Sequence, residues 1–98
     1  MSVVLHQQYV GPKKFMEGKT INVYDTYAHA LSHAATGLST IYEMAPLTGI
    51  QSTAITQAAK TTGLLADQNG MVHFFVESGT YYLMSAGLWG PPRKIVVP

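Results

Sequence analysis

The stretch that decides the fold is Ala66–Leu83, "ADQNGMVHFFVESGTYYL". Its "DQNG" segment at 67–70 predicts a tight turn, because Asn and Gly tolerate the positive φ angles of hairpin turns. The next residues alternate with the period of two that is typical of a β-strand. "SG" at 78–79 predicts a second turn, and a second strand follows at 80–86. The stretch therefore predicts a β-hairpin. Its turn residues are Asp67, Asn69, Gly70 and Gly79.

Both predicted strands carry large apolar side chains on each face. If the face formed by Val72, Phe74 and Val76 points to the core, the alternate residues point outward. The large apolar residues predicted to face outward are Phe75, Tyr82 and Met84. Either a partner subunit or a loop of the same chain, at Tyr27–Thr36, would cover this patch. A partner is preferred, because contiguous exposed apolar patches often mark interaction sites and this chain is also poor in charge.

The remaining chain reads as further short strands at 2–10, 20–25, 38–45, 52–60, 63–66 and 93–97, separated by turn residues such as Gly, Pro and Asn. The segment at 52–60 is ambiguous, because Ala, Gln and Lys favour a helix and Thr and Ile favour a strand. About seven strands in this pattern predict an all-β fold, a small antiparallel β-sandwich or barrel. "YAHALSHAA" at 27–35 adds one short helical turn near residues 27–36. Residues 1–98 are predicted to form a single domain. Within it, residues 1–11 are either a strand or an extended N-terminal arm that carries Tyr9.

The composition argues against two classes of partner, nucleic acids and membranes. Charged residues make up 11% of the chain, against about 25% in typical soluble domains. The formal net charge is +1, with no basic stripe for neutralising phosphates, so nucleic acid is not an expected partner. No apolar run approaches the roughly 20 residues of a membrane span, and the N-terminus lacks the basic region of a signal peptide. Synthesis in the cytoplasm and no membrane partner are therefore expected.

Few residues are candidates for a metal site or a catalytic site. His29 and His33 would lie one turn apart on a helix and could share a metal ion. No third ligand is evident nearby, although Asp25 could fold in, and no metal site is predicted. The chain has no cysteine, and none of the familiar nucleophile or phosphate-binding motifs is present. Neither an enzyme nor a cofactor is expected. Trp89, in the Gly- and Pro-rich segment "AGLWGPPR", could anchor an interface, stack on a sugar or close one end of the sandwich.

Several of these pieces together resemble a small β module of tailed-bacteriophage structural proteins. The matching residues lie between Leu38 and Ala86 and include Thr40-Ile41-Tyr42, Asp67, Asn69, Gly70, Phe74-Phe75-Val76, Gly79, Tyr81 and Leu83. In the family, an "Ala-x-Ile-Tyr" strand leads to "Thr-Asp-Ala-Asn-Gly", an aromatic strand and "Gly-x-Tyr-x-Leu". Ala66 stands here where the family usually has Thr.

The resemblance implies a non-enzymatic virion protein. A short free-standing sandwich most resembles a capsid decoration, or cement, protein that stabilises the head by subunit contacts. The alternatives are a tail-fibre or baseplate component, or a carbohydrate-binding module that uses Trp89. The expected partners are further copies of the chain, as a dimer or trimer, and the major capsid protein or another virion protein. The predicted interface residues are Phe75, Tyr82, Met84, Trp89 and Tyr9.

Overall fold

The computed structural model describes residues 3–12, 14, 18–42, 54–55, 57, 64–85 and 91–98. They form two antiparallel β-sheets with one short α-helix. The strands are β1 (Val3–Tyr9), β2 (Thr20–Tyr24), β3 (Ile41–Tyr42), β4 (Ala54–Ile55), β5 (Leu64–Leu65), β6 (Met71–Glu77), β7 (Gly79–Met84) and β8 (Arg93–Val97). Sheet I has the order β1-β6-β3-β4, and sheet II has the order β5-β2-β7-β8.

The predicted all-β sandwich is confirmed. The last strand coincides with its prediction at Arg93–Val97, and the other long strands differ from theirs by only one or two residues at their ends. The ambiguous segment at 52–60, predicted as a strand, contributes β4, and the rest of it lies largely outside the described residues. The described residues contain eight strands where about seven were predicted, and three of them, β3, β4 and β5, have two residues each. That residues 1–98 form one domain stays a prediction.

The predicted hairpin is wrong in its pairing. β6 pairs with β1 and β3 in sheet I, whereas β7 pairs with β2 and β8 in sheet II. Ser78 therefore lies at a corner where the chain crosses from one sheet to the other. The Tyr81 hydroxyl donates a 2.7 Å hydrogen bond to the Glu77 carbonyl across this corner, much as the tyrosine corners of other β-sandwiches do. A short turn brings two strands close together without deciding whether they share a sheet.

The turn at 67–70 also joins the two sheets, because it links β5 to β6. The Asp67 side chain organises it: Oδ1 accepts hydrogen bonds from the backbone N–H groups of Asn69 (2.8 Å) and Met71 (3.1 Å). Gly70 has φ +74°, and a Cβ at this position would overlap the Gly11 carbonyl oxygen. Within the turn at 67–70 only Gly70 has a positive φ. The turn is therefore not the type I′ form, which needs two such residues.

The main core lies between the sheets. Sheet I contributes Val72, Phe74 and Val76, the face predicted to be buried, and each is at most 2% exposed. Sheet II contributes side chains from β2, β7 and β8, including Ile21, Val23, Leu83, Ile95 and Val97. Burial of side chains of this size stabilises the fold by roughly 1.5–3 kcal/mol each. The alternation in β6 thus predicts correctly which of its residues enter the core.

The predicted helical turn is confirmed as helix α1 (Tyr27–Ser32), followed by a 3₁₀ turn at Ala35–Gly37. Thr26 caps the N-terminus, since its Oγ1 accepts a hydrogen bond from the His29 N–H at 3.2 Å. His33 ends the helix in a left-handed conformation (φ 56°). Ala30 of α1 packs with Tyr24 and Met84 in a second small core. α1 therefore lies on the outer face of sheet II and forms a third layer over part of it.

The side chain of Gln57 hydrogen-bonds the backbone of β2 along the edge opposite β7. The Gln57 Nε2 group donates to the Ser39 carbonyl (2.7 Å) and more weakly to the Val23 carbonyl (3.3 Å), while Oε1 accepts from the Val23 N–H (3.0 Å). The Ser39 N–H donates to the Val23 carbonyl at 2.9 Å. The Gln57 amide thus makes the hydrogen bonds to β2 that a backbone peptide group of a neighbouring strand would make. It does so at Val23, just past Thr20 and Ile21, the two residues of β2 that pair with β5.

Candidate interaction surface

The outer face of sheet I carries a largely uncharged group of apolar side chains. Opposed residues of antiparallel strands point to the same face. Leu5 is opposite Phe75, which is opposite Tyr42, and Tyr9 is opposite Met71. We call these five residues the outer patch. Leu5 and Tyr9 are 48% and 53% exposed, and the other three are half-buried.

The polar residues between the apolar side chains of the outer patch are uncharged glutamine and histidine, and carboxylates lie only at its margin. Gln7 and His73 oppose each other in the middle of the β1–β6 pair. His73 Nε2 lies 3.3 Å from Asp67 Oδ2, and both side chains are exposed. Backbone hydrogen bonds from Met71 and then Asn69 hold the pKa of Asp67 below its ordinary value. This carboxylate serves the turn at 67–70. Glu77, exposed and opposite Val3 on the same face, places a charge two residues from Phe75, so the outer patch is uncharged but has a carboxylate at its margin.

Strand β1 also presents a backbone edge. It is the terminal strand of sheet I, and among the described residues no strand pairs with its outer side. The Val10 N–H donates to the Gly70 carbonyl at 2.8 Å, which sets the alternation of hydrogen bonds along β1. Residues 4, 6 and 8 bond to β6, and the N–H and C=O groups of Val3, Leu5, Gln7 and Tyr9 point to the free edge.

The four terminal strands differ in how they are protected against pairing with another chain. Short length, charged side chains and proline are the usual protections. β4 and β5 have two residues each. β8 carries Arg93 and Lys94 and is followed by Pro98. β1 has seven residues, "VVLHQQY", with no charged residue, no proline and an unbroken register against β6. Of the terminal strands formed by the described residues, only β1 lacks all three protections.

The structure does not bring the predicted interface residues together. Phe75 and Tyr9 lie on the outer face of sheet I, whereas Tyr82 and Met84 lie on the outer face of sheet II. They are on opposite sides of the sandwich, because β6 and β7 belong to different sheets. The expectation of one shared patch formed by Phe75, Tyr82 and Met84 is therefore wrong.

The expected exposure of Met84 is also wrong. Met84 is only 4% exposed and packs with Tyr24 and Ala30. Tyr82 is half-buried beside the same cluster, and its ring makes a T-shaped contact with Tyr27 of α1 at a centroid distance of 6.1 Å. Part of the Tyr27–Thr36 segment thus covers these two residues, which was the alternative to a partner. The apolar face is covered because burying a methionine side chain is worth roughly 1.5–3 kcal/mol.

The predictions for Trp89 and for the N-terminal segment at 1–11 have different outcomes. Trp89 lies outside the described residues, so its three interpretations stay open. Within the segment at 1–11, Val3–Tyr9 pairs along its whole length with β6 of the same chain. Its contribution to an interface therefore comes from the outer edge and outer face of a strand that is already part of sheet I.

The two histidines considered as metal ligands do not lie on one helical face, because α1 ends at Ser32 and His33 turns away in the left-handed conformation. His29 Nδ1 lies 2.7 Å from Asp25 Oδ1, and its ring lies against Gly37. That hydrogen bond is the largest influence that lowers the pKa of Asp25. Within the described part of the chain, no group of three His, Asp or Glu side chains could hold a metal ion.

Sequence reasoning missed Leu5, Tyr42 and Met71 as members of the outer patch. The alternation of β1 places Leu5 and Tyr9 on one face, but its opposite face carries Val4, His6 and Gln8 and is no more apolar. The local pattern therefore does not tell which face is buried. The pairing with β6 decides it, and that pairing is a long-range contact without a local signal.

Searches of protein-family models, of curated proteins and of solved structures gave no match to this chain. Among the described residues, no helix has the length and apolar character that crossing a bilayer would require.

Proposed function

We propose that this protein is a non-enzymatic structural component of a bacteriophage particle, a capsid decoration protein that stabilises the head through subunit contacts. The observation that carries the proposal is the outer patch, which places Leu5, Phe75 and Tyr42 in one row across three strands of sheet I. Contiguous apolar surface of this kind is typical of protein interaction sites. The resemblance of the Leu38–Ala86 region to phage structural modules supplies the class of partner.

The low charge of the chain supports the same proposal. Interface centres are depleted in charged side chains and enriched in aromatic residues and methionine. The outer patch follows that composition, with two tyrosines, one phenylalanine, one methionine and one leucine. A surface that binds a capsid lattice needs no reacting groups, and contact through such side chains is sufficient for a cementing role.

The test uses the phage whose genome encodes the chain. Its coding sequence is deleted, and the heat-induced release of DNA from purified particles is measured with and without added purified protein. We expect the deleted particles to release DNA at lower temperature and the added protein to restore their resistance. Absence of the protein from purified wild-type particles, or a coding sequence whose neighbouring genes encode no virion proteins, would refute the proposal. A location on the tail fraction would favour the fibre alternative.

Three variants link the outer patch to particle binding. Phe75→Glu places a charge in the centre of the patch and should abolish binding to deleted particles in co-sedimentation. Phe75→Leu keeps an apolar side chain and should bind. Val96→Glu adds the same charge at a 63% exposed position of β8, on the other sheet, and should also bind. Circular dichroism and urea unfolding of each variant separate lost binding from lost folding.

A further inference from the structure

We infer that two copies of this chain associate through β1, edge to edge and antiparallel, so that two copies of sheet I become one continuous sheet. The inference rests on the proposed function for its biological purpose, but its physical argument is independent. β1 is the one terminal strand of the described fold without charge, proline or shortness to prevent pairing. Such an edge is a template for another strand.

A second copy fits this edge because β1 is complementary to itself. Identical strands related by a two-fold axis pair antiparallel, and each contact then occurs twice. The absence of charge in "VVLHQQY" means that self-pairing opposes no like charges. The β8 edge would instead bring Arg93 and Lys94 near their own copies, which disfavours the corresponding pairing there.

The hydrogen-bond alternation limits the register. Only Val3, Leu5, Gln7 and Tyr9 direct N–H and C=O groups to the free edge, so odd-numbered residues must pair with odd-numbered residues. The register that centres on Gln7 places Leu5 opposite Tyr9 of the second copy. These are the two exposed large apolar residues of β1, and this register covers part of both.

The Gln8 side chain does not block the pairing. Its Nε2 group donates to the Tyr9 carbonyl at 3.2 Å, and a carbonyl oxygen has a second lone pair that can accept another hydrogen bond. Because odd residues pair with odd residues, their side chains point to the same face. The dimer therefore places two outer patches side by side on one sheet.

The association should be reversible. Pairing over a single strand buries less than the roughly 1,600 Å² of a standard stable interface. We expect a monomer–dimer equilibrium that depends on protein concentration. Attachment of both copies to one lattice would strengthen it, because the second contact is then intramolecular.

Sedimentation velocity over a range of concentrations tests the inference with Gln7→Pro. Proline removes the outward N–H of Gln7, and it is tolerated in an edge strand whose N–H faces solvent, so pairing with β6 is kept. The wild type should shift from monomer to dimer as concentration rises, and Gln7→Pro should raise the dimer dissociation constant at least about tenfold. Gln7→Ala keeps the N–H and should behave like the wild type. Urea unfolding confirms that each variant is folded.

Disulfide trapping gives an independent measurement, because the chain has no cysteine of its own. In the inferred register the two Gln7 positions face each other at about 5.5 Å between Cα atoms, within the range that a disulfide spans. Gln7→Cys should therefore form a covalent dimer under mild oxidation much faster than Val96→Cys, an exposed position on the opposite terminal strand. Equal rates for the two variants would contradict the inferred contact.

Further results of these experiments decide between the β1 contact and the proposed function. A wild type that stays monomeric at all concentrations, a trimer, or a dimer unaffected by Gln7→Pro overturns the inference. Particle binding without dimerisation would leave the proposed function standing and remove only the β1 contact. A dimer that fails to protect deleted particles would support the contact and remove the decoration role.

Discussion

Replacing Gln57 tests whether one side-chain amide holds three chain segments together. In the structure, the amide bonds β2 at Val23 and the loop at Ser39. Gln57→Leu keeps a side chain of similar size but removes every one of these hydrogen bonds. The Val23 N–H and the Ser39 carbonyl then lose their partner in a partly buried place. We expect a folded but less stable protein.

The magnitude follows from the two short hydrogen bonds, at 2.7 and 3.0 Å. Each contributes about 0.5–1.5 kcal/mol net, and a buried group left without a partner costs about 1–3 kcal/mol. Water can reach part of this site, because Gln57 itself is only half-buried. We therefore expect the free energy of unfolding to fall by about 2–3 kcal/mol. With a urea m-value of about 1–1.5 kcal/mol/M, the midpoint should drop by roughly 2 M.

Gln57→Glu makes the test sharper. The introduced carboxylate can still accept from the Val23 N–H, but its second oxygen faces the Ser39 carbonyl oxygen instead of donating to it. Burial and these carbonyl oxygens should raise the pKa of the introduced carboxyl in the folded state. Its protonated form is therefore favoured by folding, so the variant should be closest to wild-type stability in acid. The difference should grow as pH rises through the raised pKa.

Urea unfolding followed by circular dichroism at neutral pH and at about pH 4 measures both variants against the wild type. Gln68→Leu, in the exposed turn at 67–70, is the matched control and should change stability by no more than about 0.5 kcal/mol. If both Gln57 variants unfold at the wild-type midpoint, the amide does not support β2, and the assignment of its role is refuted.

Three further predictions concern single side chains or glycines. The Tyr24 hydroxyl is buried without a partner in the described part of the structure, so Tyr24→Phe should leave the thermal midpoint unchanged or raise it, and a fall of several degrees would contradict this. Gly70→Ala should lower the free energy of unfolding, measured with urea, by more than about 2 kcal/mol, because the added Cβ meets both a left-handed backbone and the Gly11 carbonyl oxygen. Gly18→Ala is the control, since Gly18 has φ +76° but no atom near the added Cβ. It should lower the free energy of unfolding only by the roughly 1–2 kcal/mol of the left-handed conformation. Asp67 has a lowered pKa in the folded state, so its carboxylate stabilises the fold above the ordinary pKa of an aspartate, and this stabilisation is lost as pH falls through the lowered pKa. In the Asp67→Asn variant, the free energy of unfolding should therefore depend less steeply on pH in acid. An unchanged pH dependence in acid would argue against this role.

Much of the fold follows from the sequence because its signals are local. The alternation in β6 predicts that Val72, Phe74 and Val76 are buried, and they are. "DQNG" at 67–70 predicts a turn, and the Asp67 side chain forms one. The helical spacing near 27–36 predicts the segment that becomes α1. Each of these features depends on residues only a few positions apart.

The candidate surface could be predicted only in part. The sequence identifies Phe75 and Tyr9, but Tyr42 comes to lie opposite Phe75 only through strand pairing across more than thirty residues of chain. The alternation places Met84 on the outer face correctly, but a partner subunit was preferred as its cover over the Tyr27–Thr36 segment, and α1 from that segment is what buries it. Gln57 gave no local signal, since a glutamine that replaces a strand peptide looks like any other polar residue.

The sequence by itself determined the class of fold and the alternation of side chains along each strand, because both depend on the chain's local geometry. Only the tertiary structure decided which strands pair. A turn as short as that at Ser78 can join strands of one sheet or of two, and here it joins two. That choice separates Phe75 from Tyr82 and Met84 and allows α1 to cover the latter pair. It also leaves β1 as a terminal strand on whose outer edge no other described strand pairs. The physical reason is that pairing and covering are settled by the burial of distant residues against one another.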